Sequence, residues 1–266
     1  MHSMKNYNEE AGGEIMSKTV ITGGLGFLGF ELCLAFLEEG FEVLAVDIED
    51  KAGRRWLEVG RNANITYQPL QQALLNGCSA ERAYINLYDH FTVNKSDGHL
   101  GEIKKFLENN HSTIAEAIVL LPSVIPDGTR ENELMELLAY TEDQFEKHYK
   151  IYIPTLFGPH QPGAFLFQQI LDESEQSVNY VDDIRDAIFV KDAASAILTI
   201  KNISQSKNIQ LTTGSSDSWS EILGLLGRPE IKEPGRLNDI IPDNVEKLKV
   251  HSSSLFKDVL DKQRNC

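Results

Sequence analysis

The chain has few cysteines and no long apolar run, and each scarcity excludes a class of protein. Its three cysteines, Cys33, Cys78 and Cys266, are too scattered for a disulfide framework or a zinc site, and no CxxC occurs. No apolar run approaches the roughly 20 residues that span a bilayer. The N-terminus lacks the shape of a signal peptide. We therefore expect a cytoplasmic protein without a membrane partner.

Basic residues are also scarce relative to acidic ones. The 266 residues contain 25 Lys and Arg against 40 Asp and Glu, which gives a formal net charge of −15 at pH 7. Binding to nucleic acid needs clustered Lys and Arg, so this balance argues against a nucleic-acid partner. Any nucleotide ligand would need a local positive site. Solubility is the simpler reason for the acidity.

The most informative motif present is TGGLGFLG, at residues 22–29. It lies between the strand-like run Lys18–Ile21 and a helix pattern, and a second strand pattern then ends in Asp47. The glycines at positions 24, 26 and 29 fit the Rossmann fingerprint, which allows a tight turn, close approach of a pyrophosphate and helix packing. A plain glycine turn is the alternative, but the order of elements favours a dinucleotide site at the helix N-terminus.

Strand and helix patterns continue to alternate after Asp47. The predicted segments are strands at Ile65–Gln68, Ala83–Leu87 and Ala117–Leu121, helices at Leu70–Asn76, Leu100–Asn109 and Glu131–His148, and a strand at Ile151–Phe157. Repeated βα units predict an α/β fold with a Rossmann-type, doubly wound parallel sheet.

The loop at residues 160–163 is the expected domain boundary. It would separate an NAD(P)-binding Rossmann domain, residues 17–160, from a smaller C-terminal substrate-binding region, residues 161–266. Residues 185–215 are expected to return to the first domain. Residues 1–16 are polar and contain glycine, which predicts a disordered leader.

Four segments resemble the extended short-chain dehydrogenase/reductase family, also called the NAD-dependent epimerase/dehydratase family. They are TGGLGFLG from Thr22, LFGPHQP from Leu156, RDAIFVKDAASAI from Arg185 and TTGSSDSWS from Thr212. They are similar, in the same order, to the family's TGxxGxxG, NVYGPGQ, RDFVYVDDVARAI and NIGSGEEVS. The resemblance covers the chain from about Ser17. It implies the use of NAD or NADP to oxidise and reduce a sugar carbon, usually of a nucleotide-linked sugar.

The resemblance also implies roles for individual residues. Asp47 would bind the adenosine ribose, and Arg185 a substrate phosphate. Asp192 is expected to hold the loop that carries Arg185. Gly23, Gly26 and Gly29 would hold the pyrophosphate. Phe27 and Leu28 of the same motif are also expected to bind the cofactor.

Two further groups are placed by the rule that ligands lie at the carboxyl ends of parallel strands. Tyr88, with Asp89 and His90, would lie near the nicotinamide, either supplying a proton or lining the pocket. His160 could face the substrate, although a lone loop histidine is more often solvated.

The choice of cofactor follows from the end of the second strand. Asp47 can accept hydrogen bonds from a ribose 2′-OH and repels a 2′-phosphate, so NAD is favoured. Lys51, Arg54 and Arg55 could reach a 2′-phosphate, which leaves NADP open, but such a charge cluster is more often a solvated helix start.

The chain departs from the family at its acid–base pair. The family uses a tyrosine and a lysine four residues apart on one helix face, with a serine at the preceding strand end. No Tyr-x-x-x-Lys occurs here. Ser123 either is that serine or is a turn residue. The nearest pair is Tyr140 with Gln144, but a neutral glutamine cannot lower a phenol pKa from about 10. Lys147, two predicted helical turns beyond Tyr140, is too far away for direct contact.

Two functions therefore remain open. The first is an epimerase/dehydratase-family oxidoreductase with an altered active site, acting on a nucleotide-sugar or a related hydroxylated metabolite. The second is a non-catalytic NAD(P)-binding sensor or scaffold. The family also implies a homodimer, although the charged helix at Glu131–His148 weakens that expectation. No HxxxH, HExxH or GxSxG pattern supports a metal site or a serine hydrolase.

Overall fold

A parallel sheet of eight strands organises the protein. The computed structural model describes residues 18–48, 54–92, 99–126, 131–172, 180–200, 207–230 and 237–264. The expected leader, residues 1–16, and Lys51 lie outside these ranges. The strands are β1 (Lys18–Thr22), β2 (Glu42–Asp47), β3 (Ile65–Pro69), β4 (Ala80–Asn86), β5 (Ile114–Pro122), β6 (Val124–Pro126), β7 (Lys147–Ile153), β8 (Thr155–Phe157), β9 (Ala187–Phe189), β10 (Lys207–Thr212), β11 (Leu237–Asp239) and β12 (Glu246–Lys249).

Helices cover both faces of this sheet. They are α1 (Phe27–Glu38), α2 (Leu70–Asn76), α3 (Tyr88–Thr92), α4 (His99–Asn110), α5 (Glu131–Gln144), α6 (Leu166–Leu171), α7 (Val190–Thr199), α8 (Ser218–Leu225) and α9 (Phe256–Arg264), with a 3₁₀ turn at Arg54–Glu58. No helix in the described ranges is long and apolar enough to cross a membrane.

The strand order is β3-β2-β1-β4-β5-β7-β10-β12, and each neighbouring pair is parallel. The chain first builds the sheet outward from β1 through β2 and β3, and then continues from β4 on the other side of β1. Ligands of doubly wound sheets bind at such a switch point, outside the carboxyl ends of the strands. The segments that follow β1 and β4 therefore border the candidate crevice. The predicted α/β Rossmann-type fold is confirmed.

Two apolar cores form because successive strand side chains point to opposite faces. On β1, Ile21 belongs to the core beneath α1 and α7, which also contains Phe36 and Ile197. Its neighbour Val20 belongs to the core beneath α2, α4 and α5. All these side chains are buried, which explains why the strands read as continuous apolar runs.

The long helix predicted to reach His148 is shorter than expected. It ends at Gln144, and Phe145 turns into the apolar core. Lys147 is therefore the first residue of β7, and its ammonium lies 3.1 Å from the Glu116 carboxylate of β5. The expected strand over 151–157 is also divided. Pro154 has no backbone N–H to donate, and the ladder with β5 ends at Ile153.

The C-terminal half contributes to the same sheet. Strands β10 and β12 add to its outer edge beside β7. Strand β11 instead pairs antiparallel with β6, directly after the carboxyl end of β5. Strands β8 and β9 form a separate parallel pair. The carboxyl edge is consequently covered by segments from the second half of the chain.

Gly29→Ala should destabilise the fold by about 3 kcal/mol, the upper end of the usual cost of overpacking, because the nearest atoms belong to the backbone. A Cβ on Gly29 would lie 1.9 Å from the Gly23 carbonyl oxygen. Gly224 on α8 is a matched control, since a Cβ there meets no atom within 4 Å. Gly224→Ala should be neutral or stabilising by up to about 1 kcal/mol. Urea unfolding of the two variants measures both values, and equal effects would contradict the predicted close packing.

Candidate functional site

The glycine loop joins β1 to α1 at the switch point. Gly23 adopts a left-handed φ of +66°, which glycine alone tolerates readily. Gly26 is the N-cap of α1 and contributes no side chain to the cap. The N–H groups of the first helical turn are the ones that bind anions in dinucleotide sites. The left-handed residue of the turn is therefore Gly23, whereas the fingerprint predicts the tight turn at Gly24.

A carboxylate of the protein itself occupies this first turn. Asp89, on α3 just after β4, is fully buried. Its carboxylate accepts hydrogen bonds from the N–H groups of Leu28 and Gly29, each at 3.1 Å. The Asn86 side-chain amide donates to the same group at 2.6 Å. A Cβ on Gly26 would lie 2.2 Å from Asp89 Oδ2. Gly26 therefore allows close approach, here to a carboxylate.

Sequence reasoning placed Asp89 near the nicotinamide and missed this contact. The residue lies 61 positions from Leu28 along the chain, so no local pattern could reveal the pairing. The only available signal was an acid directly after the strand that neighbours β1 at the switch point.

Asp47 lies where the sequence predicts, at the carboxyl end of β2. It is 3% exposed. One carboxylate oxygen accepts from the Leu25 N–H at 3.1 Å, and the other accepts from the Ile48 N–H at 2.8 Å. The acid therefore contacts the glycine loop.

Arg55, one of the candidate cations for a 2′-phosphate, packs on α1. Its guanidinium lies 4.1 Å from the centre of the Phe30 ring and 2.8 Å from a Glu31 carboxylate oxygen. Burial lowers the pKa of Arg55, while the charges of Glu31, Glu58 and Asp89 oppose that shift. The side chain of Arg54 lies outside the described part of the structure.

Tyr88 is buried beneath the carboxyl edge of the sheet. It is 1% exposed, and its ring stacks on Phe165 with 6.1 Å between ring centres. The phenol oxygen accepts a hydrogen bond from the Leu156 N–H at 2.8 Å. Burial raises the pKa of Tyr88 well above its usual value. The phenol is therefore neutral and holds the segment after β7 in place.

Ser123 follows the carboxyl end of β5, as predicted, but it has no exposed surface. Its N–H donates to the Ile153 carbonyl at 2.8 Å, and its carbonyl accepts from the Ile240 N–H at 3.2 Å. Its hydroxyl is buried without a hydrogen-bond partner among the described residues. The segment that contains β11 therefore covers the predicted catalytic serine.

Tyr140 lies at the other edge of the sheet. It is in the final turns of α5, which leads into the amino end of β7, and the charges of Glu108 and Asp143 add to burial in raising its pKa. Strand β5 has nine residues, so the two edges are roughly 26 Å apart at about 3.3 Å per residue. The structure does not bring Tyr140 near Ser123 or the glycine loop.

Arg185, predicted to bind a substrate phosphate, is held between two carboxylates. Its Nε and Nη2 donate to Asp183 at 2.7 and 2.8 Å, and Nη1 donates to Asp239. These bonds raise its pKa. The expected role of Asp192 was wrong, because that carboxylate accepts from Ser253 and not from the loop of Arg185.

His160 is exposed at the rim of the crevice. It has a left-handed φ of +66°, which is uncommon for a residue with a side chain. Partial burial and the charge of Arg55 lower the pKa of His160. The imidazole is therefore largely neutral at pH 7. The next residue, Gln161, is buried and accepts a hydrogen bond from Gln263 of α9 at 2.7 Å.

Asp182 joins the segment beyond this rim to α6 and α8. It is fully buried and accepts from the Leu166 N–H at 2.9 Å and from the Trp219 indole N–H at 2.8 Å. Burial raises its pKa from 3.8 to about 7. Among the residues that the structure describes, no group of three or more His, Cys, Asp or Glu could hold a metal ion.

The switch-point crevice and the doubly wound sheet define an α/β protein of the Rossmann class. No family model and no curated protein matches the chain. Solved structures do match. The Bordetella bronchiseptica enzyme WbmH, in complex with NAD+, is 14% identical, with 94% of this chain and 97% of that one covered and a TM-score of 0.62.

Two further structures have the same fold. UDP-glucuronic acid 4-epimerase from Bacillus cereus, in complex with NAD, is 15% identical, covers 93% of this chain and 97% of its own, and has a TM-score of 0.63. dTDP-glucose 4,6-dehydratase from Bacillus anthracis, in complex with NAD, is 14% identical, covers 94% of this chain and 96% of its own, and has a TM-score of 0.57. Identities this low establish a shared fold, and the ligands named are properties of those proteins.

Asp182 should make stability depend on pH between about 4 and about 7. Its pKa is higher in the folded protein, so its contribution is fully present below pH 3.8 and is lost as the pH rises through about 7. The difference in unfolding free energy between wild type and Asp182→Asn should therefore fall with rising pH, by at most about 1.4 kcal/mol per unit.

Urea unfolding at pH 5, 6, 7 and 8 measures this difference, because the other titrating groups cancel between the two proteins. Trp219 donates a hydrogen bond to Asp182, so its fluorescence in a Trp56→Phe background gives a second measurement of the titration of Asp182. A difference that stays constant over this range would show that Asp182 is ionised throughout.

Proposed function

We propose that this chain is a non-catalytic NAD-binding protein of the epimerase/dehydratase type, which senses the cofactor or presents a surface to a partner. The observation that carries the proposal is the separation of the candidate catalytic groups. Ser123 is buried at the carboxyl edge, and Tyr140 lies near the amino edge. Acid–base catalysis needs its groups within hydrogen-bond reach of one substrate.

The other phenol near the crevice does not replace the missing pair. Tyr88 is buried, already accepts a backbone hydrogen bond and has a raised pKa. Arg185 is paired with two carboxylates, but its side chain is 46% exposed and keeps further N–H groups for an anion. The buried, hydrogen-bonded phenol of Tyr88 therefore favours binding without chemistry.

NAD is the cofactor that the site favours. The conformation of Gly23 and the close approach at Gly26 fit a dinucleotide loop, and Asp47 fits a ribose 2′-OH. Arg55 is held by Glu31, which weakens the case for a 2′-phosphate. The position of the Asp89 side chain does not fit NAD binding, because its carboxylate accepts hydrogen bonds from the N–H groups that a pyrophosphate would need.

The second candidate is an oxidoreductase that acts on a nucleotide-sugar with an altered active site. Two observations favour it: the fold shared with UDP-glucuronic acid 4-epimerase and dTDP-glucose 4,6-dehydratase, and the exposed His160 at the crevice rim. A largely neutral imidazole could accept a proton there. The nucleotide-sugar and a homodimer both stay predictions.

Calorimetric titration with NAD and turnover assays on a panel of nucleotide-sugars separate these candidates. We expect NAD binding that is equal in wild type, Ser123→Ala, Tyr140→Phe and His160→Ala, with no change in nicotinamide absorbance and no isomerised sugar. Within the described residues, no hydrogen bond joins these side chains to the glycine loop, so their loss should leave binding intact. Turnover that falls in His160→Ala alone would instead support the enzyme and reject the sensor.

A further inference from the structure

We propose that Asp89 competes internally for the phosphate position of the glycine loop, so that a dinucleotide binds only when this carboxylate leaves the first turn of α1. The inference rests on the proposed NAD binding. We call this competition between Asp89 and a phosphate the gate. Asp89 follows β4, and the loop follows β1, so the two adjoin at the switch point of the sheet.

Five backbone N–H groups of the loop already have hydrogen-bond partners. The N–H groups of Gly24 and Gly26 donate to the carbonyl oxygens of Val46 and Gly23, at 3.2 and 3.0 Å. The Leu25 N–H donates to Asp47. The N–H groups of Leu28 and Gly29 donate to Asp89. A phosphate needs the last two donors, and it can gain them only if Asp89 releases them.

Space and charge exclude simultaneous occupancy. Asp89 Oδ2 would lie 2.2 Å from a Cβ on Gly26, so the carboxylate fills the gap that the glycine leaves. A phosphate brought to the same donors would carry negative charge against a buried carboxylate, and like charges at such distances repel strongly. One anion therefore replaces the other.

A displaced carboxylate has a partner nearby. Arg55 lies over Phe30 in the next part of α1, and its charge interacts with that of Asp89. The guanidinium at present donates to Glu31. Arg55 has further N–H groups for a second carboxylate, so it is the candidate partner for the displaced Asp89 side chain.

The test compares wild type, Asp89→Ala and Asp89→Asn, with Asp192→Ala as the matched control. Asp192 is a buried carboxylate that also accepts a backbone N–H, that of Ser253, far from the loop in sequence. NAD affinity is measured by calorimetry, and inorganic pyrophosphate is used separately as a probe of the loop by its effect on Tm.

We expect Asp89→Ala to bind NAD at least about 100-fold more tightly than wild type, because two charge-assisted hydrogen bonds become available to the phosphate. Asp192→Ala should bind NAD as wild type does. Pyrophosphate should raise the Tm of Asp89→Ala but not that of wild type or the control. If Asp89→Ala does not fold, Asp89→Asn takes its place in both measurements, with the same direction of change expected.

The outcomes separate the gate from the proposed function. Equal NAD affinity of wild type and the Asp89 variant overturns the gate and leaves the proposed function standing. If neither protein binds NAD but pyrophosphate raises the Tm of the variant alone, the gate stands and the proposed function fails. If the variant responds to neither NAD nor pyrophosphate, both fail.

Discussion

The N–H groups at the start of α1 impose the constraint on which this site depends. A helix leaves its first N–H groups without intrahelical partners, and burial makes each unsatisfied donor costly. Dinucleotide proteins satisfy them with a phosphate. Here Asp89 does so, at 3.1 Å from Leu28 and Gly29. The same carboxylate thereby joins the segment after β4 to the loop after β1, and it gives the crevice a filled state that needs no ligand.

The rest of the carboxyl edge is closed by similar internal contacts. Tyr88 holds the Leu156 segment through its phenol oxygen, and Gln263 of α9 bonds to both Gly158 and Gln161. The segment of Ile240 lies against Ser123. Groups that would otherwise face a substrate are therefore used to attach the second half of the chain to the sheet, which is why we favour binding over catalysis.

The charged side chains near the crevice are also paired within the protein. An acidic protein that binds a nucleotide needs a local positive site, which a helix N-terminus or cationic side chains can supply. The two candidate arginines nearest the crevice are instead paired with carboxylates of the protein, Arg55 with Glu31 and Arg185 with Asp183 and Asp239. Such pairing positions the guanidinium groups and offsets their positive charge. A phosphate ligand must compete with these carboxylates as well as with Asp89.

The sequence by itself determined the Rossmann-type alternation of strands and helices, the glycine loop and the place of Asp47, because hydrophobic periodicity and glycine spacing are local properties of the chain. The order of the eight strands in the sheet was decided by the tertiary structure. The sequence also showed the missing Tyr-x-x-x-Lys. Its error over Lys147 arose from extending the helix past Gln144, where α5 ends. The tertiary structure alone decided that Asp89 reaches Leu28 across 61 positions and that Ser123 and Tyr140 lie at opposite edges. Such contacts depend on how distant segments pack, which no local pattern encodes.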